Sequence, residues 1–248
     1  MDQSQKLHKV LAQSGLGSRR QMEALIQEGL VTVNGAVATL GMRIAPSDRV
    51  QVKRKAVRLN FSDELPHVLI YHKPEGEIVS RNDPQKRPTV FANLPIVKGH
   101  KWVSVGRLDF NTSGLLLLTT SGELANTLTH PRNEFEREYA VRVVGELSLE
   151  QMQQSCRELA LEDGPAHFES IRDMGGEGTN HWYQVVLKEG RNREVRRMFQ
   201  AMNILVGRLI RVRFGPINLP PRLKRGQFQE LDSAQVHLLM HRVGLVAS

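Results

Sequence analysis

One carboxylate in this chain sits where a charge needs explaining. Asp109 belongs to Val105-Gly106-Arg107-Leu108-Asp109-Phe110-Asn111-Thr112-Ser113-Gly114, and Leu115-Leu116-Leu117-Leu118 follows at once. Four consecutive leucines read as a short element buried on both sides, and the Asn-Thr-Ser-Gly stretch before them supplies turn chemistry. Asp109 therefore lies at the rim of a core, two residues from Arg107. The spacing admits two readings. Asp109 can close a turn with its own side chain while Arg107 pairs with it at the surface. It can also be a lone catalytic carboxylate whose charge is held by nearby arginines.

Three further groups have the composition for chemistry or binding. Over 193–202 the periodicity predicts a helix with Arg193, Arg196 and Arg197 along one face and Val195, Met198, Phe199 and Met202 along the other. Three guanidiniums on one stripe repel one another unless anions lie nearby. Tyr139 shares one face of a strand with Val141 and Val143, as a half-buried tyrosine does. Lys73-Pro74 follows a strand at 67–71, where proline stops the ladder. Among the nine histidines only His237 and His241 have helical ligand spacing, and they lack acidic neighbours, so no metal site is expected. Gly175-Gly176-Glu177-Gly178 lacks the ending of a phosphate loop and reads as a hairpin turn. The single cysteine, Cys156, excludes an internal disulfide.

The elements that must position these residues mix strands and helices without regular alternation. Strands are expected at 67–71, 102–105, 115–119, 137–144, 167–171, 181–187 and 209–214, and helices near 123–129, 148–158 and 193–202. That pattern is an α+β class built on a mostly antiparallel sheet. Ahead of it, Leu7, Val10 and Leu11 have helical spacing, and Ser18 with Gln21 has capping-box form for a second helix ending near Gly29. Leu30-Val31-Thr32-Val33, Asn34-Gly35 and Ala36-Val37-Ala38 then read as strand, tight turn, strand, followed by Val50-Gln51-Val52. The charged segment Lys53 to Pro66 reads as a linker, giving an amino-terminal module at 1–55, a linker at 56–66 and a second domain at 67–248.

Charge is unevenly spread over the 248 residues. Of the formal +8, residues 1–55 carry +5 and residues 188–213 carry +6, leaving the remainder acidic. Two basic segments flanking a near-neutral body favour an extended polyanion such as RNA. No apolar run approaches the ~20 residues that cross a bilayer, and the first residues lack a signal core. A soluble, cytoplasmic, monomeric protein without membrane contact is expected.

The block Gly106 to Gly122 resembles the signature motif of the RsuA-type RNA pseudouridine synthases. Lys73-Pro74-Glu75-Gly76, Glu138-Tyr139 and Glu189 to Met198 match in order, and Arg81 to Pro84, Leu161 to Ala166 and Gly175 to Gly178 resemble the branch acting on large-subunit ribosomal RNA. The amino-terminal module resembles the alpha-L RNA-binding motif of a small-subunit ribosomal protein, through Gly17 to Arg20 and Val31 to Gly35. The resemblance implies a uridine isomerase that flips its target base, needs no cofactor because the reaction is redox-neutral, and has ribosomal RNA as partner. It makes Asp109 the nucleophile or base, pairs Arg196 with it, stacks Tyr139 on the uracil and sets Arg107 in the space the base leaves. Arg19, Arg20, Lys73, Arg191, Arg193 and Arg197 are expected to contact RNA, and Glu194 stands where many relatives carry Gln. Two alternatives remain: a noncatalytic RNA-binding assembly factor, and a same-family synthase acting on small-subunit or transfer RNA.

Overall fold

The computed structural model describes residues 4–59, 61 and 65–245 and divides into two compact units, 1–64 with 95–101, and 65–94 with 102–248. Met1 to Gln3, where a signal core was sought, lie outside the described residues, as do 60 and 62–64 of the expected linker.

In the smaller unit, α1 (Leu7–Gln13) and α2 (Arg19–Gln27) pack Leu7, Val10, Leu11, Met22 and Ile26 against strands β1 (Val31–Val33), β2 (Ala36–Val37) and β3 (Val50–Val52). Ser18 caps α2 as its sequence demands: its hydroxyl accepts from Gln21 N, and the Gln21 side chain accepts from Ser18 N. Asn34 and Gly35 both take positive φ, the backbone that a two-residue hairpin turn requires. The linker expectation changes here. Lys55–Ala56 form strand β4 against β3, and Val57, Leu59 and Phe61 pack on this unit's core, because their apolar side chains complete a core too small without them.

The larger unit is built on a nine-stranded sheet whose main order is β8-β9-β7-β10-β6-β5-β11. These are β5 (Val68–Lys73), β6 (Ser113–Thr119), β7 (Arg137–Val144), β8 (Ser170–Glu177), β9 (Asn180–Leu187), β10 (Leu205–Phe214) and β11 (Phe228–Glu230). Along this order every pairing is antiparallel except β10 with β6, which run parallel. Helices α3 (Gly122–Thr129), α4 (Leu149–Arg157), α5 (Glu194–Ala201) and α6 (Ser233–Arg242) accompany it. All seven residues of β6 are buried, as the leucine run demanded. Val68, Ile70, Leu115, Leu117, Leu124, Leu128, Val236 and Leu239 form a shared core beneath α3 and α6.

Two local expectations shift. The strand expected at 167–171 begins at Ser170 and continues to Glu177. Gly175-Gly176 is therefore part of the strand, at a register shift, and a Cβ at Gly176 would stand 2.2 Å from Asn180 O. Helix α5 starts one residue late, because Arg193 takes left-handed backbone at φ +49° and caps it.

Candidate active site

One rung of the sheet carries the site. Val185, Tyr139, Arg211, Gly114 and Lys73 lie side by side on β9, β7, β10, β6 and β5. Directly paired residues in a sheet face the same way, so the tyrosine and the two basic residues converge. Beside them is a cavity of about 290 Å³ lined by Asp109, Arg107, Tyr139, Arg137, Arg211 and Arg193, with apolar walls from Val105, Leu187, Leu209 and Phe214.

Asp109 reaches this cavity on the turn that precedes β6. The turn is closed by its main-chain carbonyl, which accepts from Thr112 N at 3.1 Å. Among the described residues its carboxylate has neither a hydrogen bond nor an ion pair. That separates the two sequence readings: the turn does not use the Asp109 side chain, so the charge is available to something else. Below the turn, Lys73 is 0 % exposed and its ammonium donates to Pro74 O at 2.9 Å and Thr112 O at 2.8 Å. Burial lowers its pKa to about 8 against the opposing pull of Glu77, Asp109 and Glu75. Of the two roles expected for Lys73, structural support or RNA contact, the structure favours the first: a fully buried ammonium tied to two carbonyls holds the Asp109 turn.

The ion pair implied between Arg196 and Asp109 is not formed. Arg196 donates from Nη1 to Val206 O at 3.0 Å and from Nη2 to Asn111 O at 2.7 Å. It grips the same turn through the backbone while its charge interacts with Asp109 through space. Burial, then the neighbouring Arg193, lower its pKa.

The basic comb also separates, since each guanidinium finds a different partner. Arg197 is held by both oxygens of Asp163, at 2.7 and 2.8 Å, which lowers the Asp163 pKa. Arg191 donates to Glu194 at 2.8 Å, to Asp163 and to Gly164 O and Pro165 O. Both arginines thus fasten the start of α5 to the hairpin around 159–166 and are not free for RNA as expected. Glu194, 5 % exposed, accepts from Arg191 N as well as its side chain, so its charge is matched. Arg193 alone of the comb is exposed, at the cavity, as is Arg107. In the smaller unit, Arg19 and Arg20 are exposed at the start of α2.

Two cavity residues escaped sequence reasoning. Arg211 is 3 % exposed and donates from Nε to Leu115 O at 2.7 Å. Arg137 is 8 % exposed, donates from Nη1 to Phe135 O at 2.7 Å and to Lys188 O, and has its pKa lowered by burial. Each stands 5.3 Å from the Phe214 ring centre. Outside the cavity, the described residues hold one grouping with metal-ligand geometry, exposed Glu146 and Asp173 with His181; there His181 Nε2 and Asp173 already share a hydrogen bond at 2.6 Å.

The class of protein comes from its sequence relationships. Residues 67–201 match the RNA pseudouridylate synthase family and residues 5–50 match the S4 domain. The chain belongs to the RNA pseudouridylate synthase family. It is 53 % identical over 244 residues to ribosomal large subunit pseudouridine synthase B of Yersinia pestis, covering 97 % of this chain and 77 % of that protein. To the protein of the same name from Escherichia coli K12 it is 51 % identical over 245 residues, 98 % of this chain and 84 % of that one. A crystal structure of a pseudouridylate synthase matches with a TM-score of 0.65 at 24 % identity, over 94 % of this chain and 99 % of the other, and speaks for the fold.

Proposed function

We propose that this protein isomerises uridine to pseudouridine in large-subunit ribosomal RNA. The N1–C1′ bond breaks, the uracil turns, and a C5–C1′ bond forms; the C5 proton leaves and N1 gains one. Formula and oxidation state are unchanged, so the reaction consumes no co-substrate. A cavity of about 290 Å³ suits one extruded nucleotide and excludes a stacked duplex. The single observation that carries this function is the Asp109 carboxylate at the cavity, which makes no hydrogen bond or ion pair among the described residues. It attacks C1′ or takes a sugar proton, and the charges of Lys73 and Arg196 reach it through space. Tyr139 supplies a ring against which the base packs, and exposed Arg107 occupies the space vacated by the flipped nucleotide.

The large-subunit assignment rests on the relatives that carry that name across nearly the whole chain. On this reading the protein works as a monomer where ribosomal RNA is made, in the cytoplasm. No described helix is long and apolar enough to cross a membrane. The amino-terminal unit, with Arg19 and Arg20 at an exposed helix start, contributes RNA grip. Pseudouridine mapping in ribosomal and transfer RNA from cells with and without the gene tests this. We expect one large-subunit uridine to lose its modification. Loss at a small-subunit or transfer RNA position reassigns the substrate, and no loss anywhere favours a noncatalytic assembly factor.

A further inference from the structure

Arg137 and Arg211 are two buried cations without a counter-ion. Among the described residues no carboxylate lies within ion-pair distance of either. Glu194, whose charge reaches Arg137 through space, already pairs with Arg191. Of the Arg211 guanidinium only Nε has a protein hydrogen bond; Nη2 is closed off from solvent and has none. Buried charges are ordinarily paired, because an unpaired one forfeits its hydration. Here both guanidiniums line the cavity that holds Asp109, each 5.3 Å from the Phe214 ring centre. Their partner therefore arrives with the ligand.

We propose that Arg211, with Arg137 beside it, donates to a carbonyl oxygen of the extruded uracil and holds the negative charge that gathers there as the N1–C1′ bond breaks. The proposal rests on the isomerase function above. Whichever way Asp109 acts, the bonding electrons leave with the ring, and the uracil anion spreads its charge over N1, O2 and O4. When C5 then bonds to C1′, that charge is withdrawn, the C5 proton departs and N1 is protonated. A phosphate is the poorer fit to the same cations, since Leu187, Leu209, Phe214 and Tyr139 wall the cavity with apolar faces suited to a planar base. Fixed donors aimed at developing charge in a dry site strengthen in the transition state, where water would have to reorganise.

The experiment measures single-turnover release of tritium from C5 of labelled uridine in a large-subunit rRNA transcript, with RNA affinity measured in parallel. Arg211→Lys and Arg211→Gln are expected to slow release about a hundredfold, as loss of one such donor does, while RNA affinity stays within about twofold. Thermal unfolding accompanies each variant, because Arg211 also anchors Leu115. A second arm leaves the protein intact: the mapped target uridine is replaced by 2-thiouridine or 4-thiouridine, whose sulfur is a poor acceptor. Wild type should lose rate on one of the two, and Arg137→Lys should lose less on that substrate than on the oxygen parent. If neither thio substrate slows wild type, or if the Arg211 variants weaken binding and its salt dependence without slowing release, the charge belongs to a phosphate and the proposal is overturned. Absence of tritium release by wild type on every RNA tested would instead refute the isomerase function itself.

Discussion

Gly114 and Arg211 face each other across the one parallel pairing in the main sheet, so closely that a Cβ on Gly114 would stand 2.3 Å from Arg211 O and 2.6 Å from its N. Gly114 also holds φ at +108°, a backbone that side-chain-bearing residues rarely adopt. Gly114, within the signature block, is thus the residue that lets β10 approach and sets Arg211 on the same rung as Tyr139. Gly114→Ala should destabilise the larger unit by about 3 kcal/mol or more, combining strain and overpacking, and should separate Asp109 from Arg211. Thermal unfolding and tritium release together check this; an active variant with an unchanged midpoint would refute the close approach.

The Asp109 side chain makes no hydrogen bond or ion pair among the described residues, because its turn is closed by the backbone. Asp109→Asn should therefore unfold at the wild-type temperature and bind RNA as tightly, yet lose turnover by about a thousandfold or more, since an amide neither attacks nor accepts a proton. Residual turnover near the parent rate would remove Asp109 from the chemistry.

How far the site was legible follows from what alternation and spacing can report. Asp109 and Tyr139 were readable because an ionisable group beside a leucine run and a tyrosine on an apolar strand face are both local patterns. Arg137 was readable in principle: it has the parity of Tyr139, Val141 and Val143, and β7 buries all four. Arg211 has the parity of buried Leu209. Arginine at a sheet position ordinarily reaches solvent, and the strands that flank Arg211 on either side come from distant parts of the chain. The arginine comb failed for another reason. A helical period fixes which face a residue shares, but Asp163 and the Asn111 and Val206 carbonyls, distant in sequence, decide where Arg197 and Arg196 end. The sheet's antiparallel character was legible from the strand patterns; the single parallel pair was not, since it joins segments almost a hundred residues apart.

Lys73 gives the fold a pH signature. Burial lowers its folded-state pKa to about 8, below the usual 10.5 of the unfolded chain. The folded state then binds fewer protons between those values, so this group adds stability as pH rises from about 8 to 10.5, and its charged form is a burden below 8. Lys73→Met should abolish that rising component while losing the bonds to Pro74 and Thr112. Unfolding midpoints of wild type and variant, compared from pH 7.5 to 10.5, should diverge in favour of wild type as pH increases. Parallel curves would mean that Lys73 titrates normally.

Arg19 and Arg20 test the smaller unit without cutting it. A truncation at residue 55 would sever the β3–β4 hairpin and strip Val57, Leu59 and Phe61 from the core they complete, confusing lost folding with lost binding. Substituting both arginines by alanine leaves the Ser18 capping box intact, because those bonds run between Ser18 and Gln21. If both guanidiniums contact phosphates, removing them should flatten the dependence of log affinity on log salt by roughly 1.5 to 2. Affinity at low salt should fall at least tenfold, while tritium release from saturating RNA continues near the parent rate. An unchanged salt slope in the double variant would show that this helix start does not meet RNA in the working complex.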